Sequence, residues 1–219
     1  MKKAAGFTLI ELLVVIGILS LLAVYLLKNV AGATGTTNEF ANRENLTWWY
    51  SQINNYKGRY QKWPKGGGSE MLRTLWISSV VENTPTNLQK FFSPFNIDDA
   101  DNFFHEAKLG NLDDLWKETI EPGDTDYAAR AKKYKRNWVS GKQAWMSDDN
   151  YDGTGWNATK SMSILFGDGV ARTYHVDLEM VEQGWITQDE ADAISSEESD
   201  MVIQIGPQSR IPFLQKLDY

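Results

Sequence analysis

Apolar residues fall first in one long run and then in stripes. From Phe7 to Leu27 the chain is apolar almost throughout, and Glu11 is the run's one acidic residue. As a helix rising about 1.5 Å per residue this run spans roughly 32 Å, enough to cross a hydrocarbon core of about 30 Å. The pattern predicts a membrane-crossing helix. The next stretch, Lys28 to Thr37, holds Gly32, Gly35 and three threonines, which lower helix propensity and predict a kink or melted turn. Helical periodicity then resumes: Phe40, Leu46, Trp49, Ile53, Tyr56 and Tyr60 recur at three- and four-residue steps or their sums, joined by Thr47 and Tyr50. This is read as the same helix, now amphipathic, with its aromatic side under a sheet and Gly58 as its stop.

Downstream the pattern breaks into shorter pieces. Lys65-Gly66-Gly67-Gly68-Ser69 is a connector, and Glu70 to Val81 is a short helix or strand ended by Thr84-Pro85-Thr86-Asn87. Leu112, Leu115 and Trp116 place helical steps in Leu109 to Ile120, and Glu121-Pro122-Gly123-Asp124 is a turn. Ala128 to Arg136, with five basic residues, reads as a solvated helix or strand face. Part of Tyr134 to Met146 is a strand. Ser161 to Phe166 and Val170 to Val176 are two strands joined by Gly167-Asp168-Gly169 in a tight hairpin. Leu178 to Gln183 is a short helix capped by Gly184. Thr187-Gln188-Asp189-Glu190 has capping-box spacing, and Met201 to Ile205 reads as an edge strand.

Glu11 needs an explanation beyond anchoring, because a carboxylate inside an apolar span costs on the order of a few kcal/mol. Either it lies shallow among the headgroups, or its charge is met by a cation from another chain. Lys2-Lys3-Ala4-Ala5-Gly6 followed by Phe7-Thr8-Leu9-Ile10-Glu11-Leu12-Leu13-Val14-Val15-Ile16 resembles the class III leader of type IV prepilins and type II secretion pseudopilins. The resemblance implies cleavage after Gly6 by a membrane peptidase, N-methylation of Phe7, and pairing of Glu11 with the terminal amine of a neighbouring subunit. An ordinary secretory signal is cut beyond its apolar core; a cut at Gly6 retains the helix. Lys2 and Lys3 keep the leader cytoplasmic by the positive-inside tendency. Tyr56-Lys57-Gly58-Arg59-Tyr60 with Pro64 is similar to the helix end of many such subunits. Phe166-Gly167-Asp168-Gly169-Val170 is similar to the C-terminal hairpin of some pseudopilin-like proteins, although their upstream histidine is replaced here by Ala158.

Composition narrows the partners. The chain of 219 residues has a net charge of −7 and, with Lys2, Lys3, Lys28 and Glu11 set aside, 19 basic and 28 acidic residues remain, a net of −9. An acidic domain is a poor ligand for phosphate backbones, so nucleic acid is not expected. Nine tryptophans and 42% apolar residues support a folded body. There are no cysteines, so an exported domain of this kind has no disulfide, and burial or a metal ion must hold its loops.

One local motif suggests a metal. Asp148-Asp149-Asn150-Tyr151-Asp152-Gly153 fits the first half of a calcium loop, with Asp148, Asn150 and Asp152 supplying alternate oxygens and the Thr154 carbonyl a fourth. A full EF-hand fails because the twelfth position is Thr159; the other reading is an Asx-rich surface turn. The major pseudopilins of type II secretion are known for a calcium site in this region, as the resemblance implies. His105 and His175 are too isolated in sequence to suggest zinc. No nucleophile elbow or acid/base pair stands out, and no enzyme is expected.

The sequence thus predicts an α+β, type IV pilin-like fold: a long N-terminal helix, transmembrane then amphipathic, packed on an antiparallel β-sheet. Residues 1–6 are the leader, 7–34 the transmembrane and assembly helix, and 35–219 the extracytoplasmic globular domain including the amphipathic half of the helix. The expected role is a structural subunit of a type II secretion pseudopilus, or alternatively a type IV pilin for adhesion, motility or DNA uptake. Expected partners are homologous subunits, the prepilin peptidase and the inner-membrane assembly platform. The expected place is the bacterial inner membrane, single-pass with a cytoplasmic N-terminus and the domain periplasmic or in an extracellular filament.

Overall fold

The computed structural model describes residues 9–95, 112–121, 124–137, 141–148, 161–195 and 205–218. Helix α1 (Leu9–Tyr60) is followed by α2 (Ser69–Ile77) and the single turn α3 (Pro85–Leu88). Strands β1 (Tyr127–Arg130), β2 (Ala144–Asp148), β3 (Ser161–Phe166) and β4 (Ala171–His175) form an antiparallel meander. The two-residue β5 (Leu217–Asp218) pairs with β1, giving the sheet order β4-β3-β2-β1-β5. A π-helical turn (Val176–Met180) and α4 (Gln188–Ser195) lie between the last two strands. The α+β class expected from the sequence is observed.

Helix α1 continues through residues 28–37, so the melted turn that was the alternative to a kink is not found. Two glycines cost about 1 kcal/mol each, whereas extending an existing helix avoids the costly nucleation step. The helix also passes Gly58. It ends at Tyr60, and Gln61 takes the left-handed conformation (φ 53°), with its N–H bonded to the Lys57 carbonyl at 2.9 Å. Gln61 holds this position partly through its side-chain amide, which donates to the Gly58 carbonyl at 2.8 Å.

The sheet is covered on both faces, which explains why β1, β2 and β3 are buried at every described position. Leu46, Trp49, Ile53 and Tyr56 of α1 and Met71, Leu72, Leu75 and Trp76 of α2 pack on one face with Tyr127, Ala129 and Leu165. Fully burying each such side chain contributes about 1.5–3 kcal/mol. On the other face Ala128, Met162, Ile164 and Phe166 meet Val176, Met180, Ile186, Ile211 and Leu214. A register shift between Ala144 and Met146 opposite Leu165 and Phe166 lets Trp145 and Met146, consecutive residues, both join the α1-side core.

Several shorter expectations change. Ala128 to Arg136 is solvated only in part: Lys132 and Lys133 are exposed, whereas residues 128–130 belong to β1 and Arg130 is fully buried. Thr84 does not merely break α2; its hydroxyl accepts from the Asn87 N–H and caps α3. Within the expected helix of 109–120 the described residues form only a 3-10 turn at Leu112–Asp114. Trp116 follows with φ 56°, its carbonyl gripped by Arg73 at 2.5 Å and its ring buried against Trp76 and Phe91. The hairpin and the capping box are found as expected. Phe166 and Val170 close a three-residue loop with Gly169 at φ 82°, and Thr187 and Glu190 exchange N–H donors at 2.8 and 3.2 Å. The expected strand at 201–205 lies outside the described residues except for Ile205.

Candidate functional site

The site suggested by the sequence is helix α1 and what it presents. Its two halves have opposite surroundings. Leu12, Leu13, Val15, Ile16, Ile18 and Leu19 are 43–65% exposed, around the helix rather than on one stripe. A helix apolar on all sides is matched to an apolar environment. Among the described residues no helix is long and apolar enough to cross a membrane; most side chains of the predicted span 7–34 lie outside that set.

From residue 35 onward the buried positions are Gly35, Glu39, Asn42, Leu46, Trp49, Ile53 and Tyr56. Steps of four and three alternate without a break, so one stripe of the helix stays on the sheet. Its first half is polar, and these side chains fasten the helix. The Asn42 amide donates to Asp148 Oδ2 at 2.6 Å, and its carbonyl oxygen accepts the Tyr127 hydroxyl at 2.7 Å. The Ser161 hydroxyl donates to Glu39 Oε1 at 3.1 Å, and His175 Nδ1 lies 3.8 Å from the same oxygen. Higher up, the Tyr50 hydroxyl donates to the Gly167 carbonyl at 3.1 Å. Trp49 Nε1 donates to the Lys90 carbonyl at 2.9 Å.

Of the residues singled out in sequence, Gly6 and Phe7 lie outside the described residues, as do Asn150, Asp152, Thr154 and His105. Glu11 is placed within the backbone of α1 only. Asp148 is well defined: it is 7% exposed, at the end of β2, with Oδ1 accepting the Ser163 N–H at 2.7 Å and Oδ2 accepting from Asn42. It therefore joins β2, β3 and α1. Among the described residues no three His, Asp or Glu side chains converge as a metal group. Ser161 and His175 share one carboxylate instead of bonding to each other, which is not the geometry of an activated serine.

Sequence reasoning passed over Glu39, Asn42 and Arg130. The first two were detectable: they stand seven and four residues before Leu46, on the stripe itself. Arg130 was not, because two of its partners, Gln143 and Ala144, come from outside its own segment. Its guanidinium donates to the carbonyls of Tyr134 and Ala144 and to Gln143 at 2.8–3.1 Å. Burial pushes its pKa below the ordinary arginine value, with Tyr134 opposing.

Residues 1–27 match the prokaryotic N-terminal methylation motif, the prepilin-type cleavage and methylation signature of type IV pilins and pseudopilins. No curated protein and no solved structure matches the chain. The motif implies processing by the prepilin peptidase, association with the membrane or a filament, and assembly with other pilin-like subunits.

Proposed function

We propose that this chain is a structural subunit of a type II secretion pseudopilus, anchored in the inner membrane before assembly and without enzymatic activity. The observation that supports this reading best is the N-terminal methylation motif, which leads directly into a continuous helix. The described apolar side chains of the first half of that helix are exposed, while its second half is fastened to a domain. Cleavage after Gly6 frees the amine of Phe7, and Glu11 meets the amine of a neighbouring subunit in a low-dielectric helical bundle, where an ion pair is strong only if well matched. The type IV pilus is the second reading, since the same motif serves both systems. The absence of cysteine and the Asp-rich sequence that follows Asp148 weigh toward the pseudopilus.

Shearing cells that express the native protein tests this. Retention in the envelope, with loss of exported enzymes on deletion, supports the pseudopilus. Recovery in long extracellular fibres supports the pilus and overturns the first reading.

A further inference from the structure

The chain is acidic, yet one groove in it is rimmed by cations. Ala131, Pro207 and Leu217 give this groove of about 570 Å³ an apolar floor, Tyr134 an aromatic wall, and Lys132 and Lys133 a basic edge. A volume of this size suits a small ligand rather than a folded partner. Its walls are fixed by bonds that need no ligand. The Arg130 guanidinium donates to the Tyr134 carbonyl through Nε and Nη2 at 3.1 and 3.0 Å, and the Ala131 N–H donates to the Lys216 carbonyl at 2.9 Å. On the opposite wall Gln215 Nε2 donates to the Ser209 carbonyl at 2.8 Å. A groove set in advance loses little order on binding.

Charge indicates the ligand. The chain has 22 basic and 29 acidic residues, and Arg73, Lys117, Arg172 and Arg210 each pair with a carboxylate. Lys132 and Lys133 are exposed and have no carboxylate partner among the described residues, in spite of that acidic surplus. Lys133 Nζ lies 4.9 Å from the centre of the Tyr134 ring, on the groove's own wall. Two ammonium groups beside an apolar floor match a molecule with an acid group at one end: the charge meets the lysines while the rest covers Ala131 and Leu217. The backbone of Ala131 and Lys132 lies against Gly67, beyond the far end of α1. That end stands about 50 Å along the helix from Leu27, which puts the groove out of reach of a membrane around the apolar run. We propose that this groove binds a small ionised organic acid with an apolar body, taken from solution. The inference goes beyond the assembly reading and does not depend on it.

Lysine acetylation reads the site residue by residue. The full-length chain is held as single subunits in phosphatidylcholine discs and treated with trace acetic anhydride, with and without naphthoate as the probe. Mass spectrometry of the peptides then gives the rate at each lysine. Lys132 and Lys133 are expected to react about fivefold more slowly near saturating naphthoate. Lys62 and Lys65, exposed and outside the groove's lining, are expected to react unchanged. Naphthamide lacks the charge and inorganic phosphate lacks the apolar body, so each protects far less. Pro207→Asp sets a carboxylate across the groove from the lysines and is expected to abolish the protection; Pro207 is exposed, and an unchanged melting curve verifies the variant's fold. The inference is overturned if naphthoate protects neither lysine, protects all lysines alike, or protects no better than naphthamide or phosphate. Protection that survives Pro207→Asp overturns it as well. Every arm uses single subunits, so failure here leaves the assembly reading untouched.

Discussion

Asn42 of the long helix and Asp148 at the end of β2 meet at 2.6 Å across 106 residues of sequence. Both are buried, and each is held a second time, Asn42 by the Tyr127 hydroxyl and Asp148 by the Ser163 N–H. The Tyr127 bond fixes which way the Asn42 amide faces, so the asparagine cannot turn to accommodate a changed partner. Asp148→Asn sets an amide donor against a donor at one of its two bonds, with an expected loss of about 1–3 kcal/mol. Asp148→Ala leaves two buried donors unmet and costs more. Denaturant unfolding followed by tryptophan fluorescence measures both, and a midpoint equal to the parent's in Asp148→Ala refutes the role given to this junction.

Tyr50 and Gly169 are in close packing contact. A Cβ at residue 169 would stand 2.6 Å from Tyr50 Cε1, on a backbone at φ 82°. Gly169→Ala is expected to lose about 2–4 kcal/mol from strain and overlap combined. Part of that loss disappears when Tyr50→Ala is already present, since the overlap goes and the φ strain stays. A double-mutant cycle separates the two; purely additive losses contradict the contact.

Acid weakens the fold at Glu190. Arg210 bonded to its carboxylate, followed by the Thr187 N–H, lowers its pKa from 4.5 to about 2. A depressed acid stabilises above its unfolded pKa, and the contribution is lost as pH falls from about 4.5 toward 2. Glu190→Gln should therefore unfold more readily than the parent at neutral pH, with the difference shrinking across that window. A gap that widens on acidification would reverse the sign and remove Glu190 as its cause.

Calcium is proposed for the sequence that begins at Asp148, on the spacing of Asp148, Asn150, Asp152 and the Thr154 carbonyl. Asp148 would share its carboxylate between the ion and α1, so binding should tighten the helix–sheet junction. Added calcium is expected to raise the melting temperature, and less so in Asp152→Ala. Equal melting curves with calcium and with a calcium chelator dispose of the proposal.

Glu11→Ala should leave cleavage after Gly6 intact, visible as the normal size shift on a gel, while filament yield drops about tenfold or more. The loss is of a charge partner in a medium of low dielectric. Normal filament yield from this variant removes Glu11 from assembly.

What could be read in the sequence was local. The Gly167-Asp168-Gly169 turn and the Thr187–Glu190 box carry their geometry in three or four adjacent residues, and both stand where expected. Leu46, Trp49, Ile53 and Tyr56 marked the buried stripe because apolar periodicity is itself the signal. The stripe's extension through Glu39 and Asn42 was hidden by polarity, although their spacing continues the pattern. Strand β1 was hidden further: four residues, Tyr127–Arg130, run directly into a basic segment, and Arg130 is tolerable inside only because carbonyls of Tyr134 and Ala144 face it. The Tyr134 carbonyl belongs to the same segment, but the Ala144 carbonyl is a property of the sheet. The end of α1 was misplaced by two residues because Gln61, which is not a glycine, adopts the left-handed turn.

The fastenings along α1 also determine how the domain responds to pulling. Bonds from Glu39, Asn42, Trp49, Tyr50, Arg59 and Tyr60 to the rest of the domain are spread over about 32 Å of helix. Tension applied along the helix axis loads them side by side, in shear, so they must yield together; tension applied across the axis at either end would peel them one after another. A continuous rod drawn from its amino-terminal end experiences the first geometry, and the domain follows it as cargo.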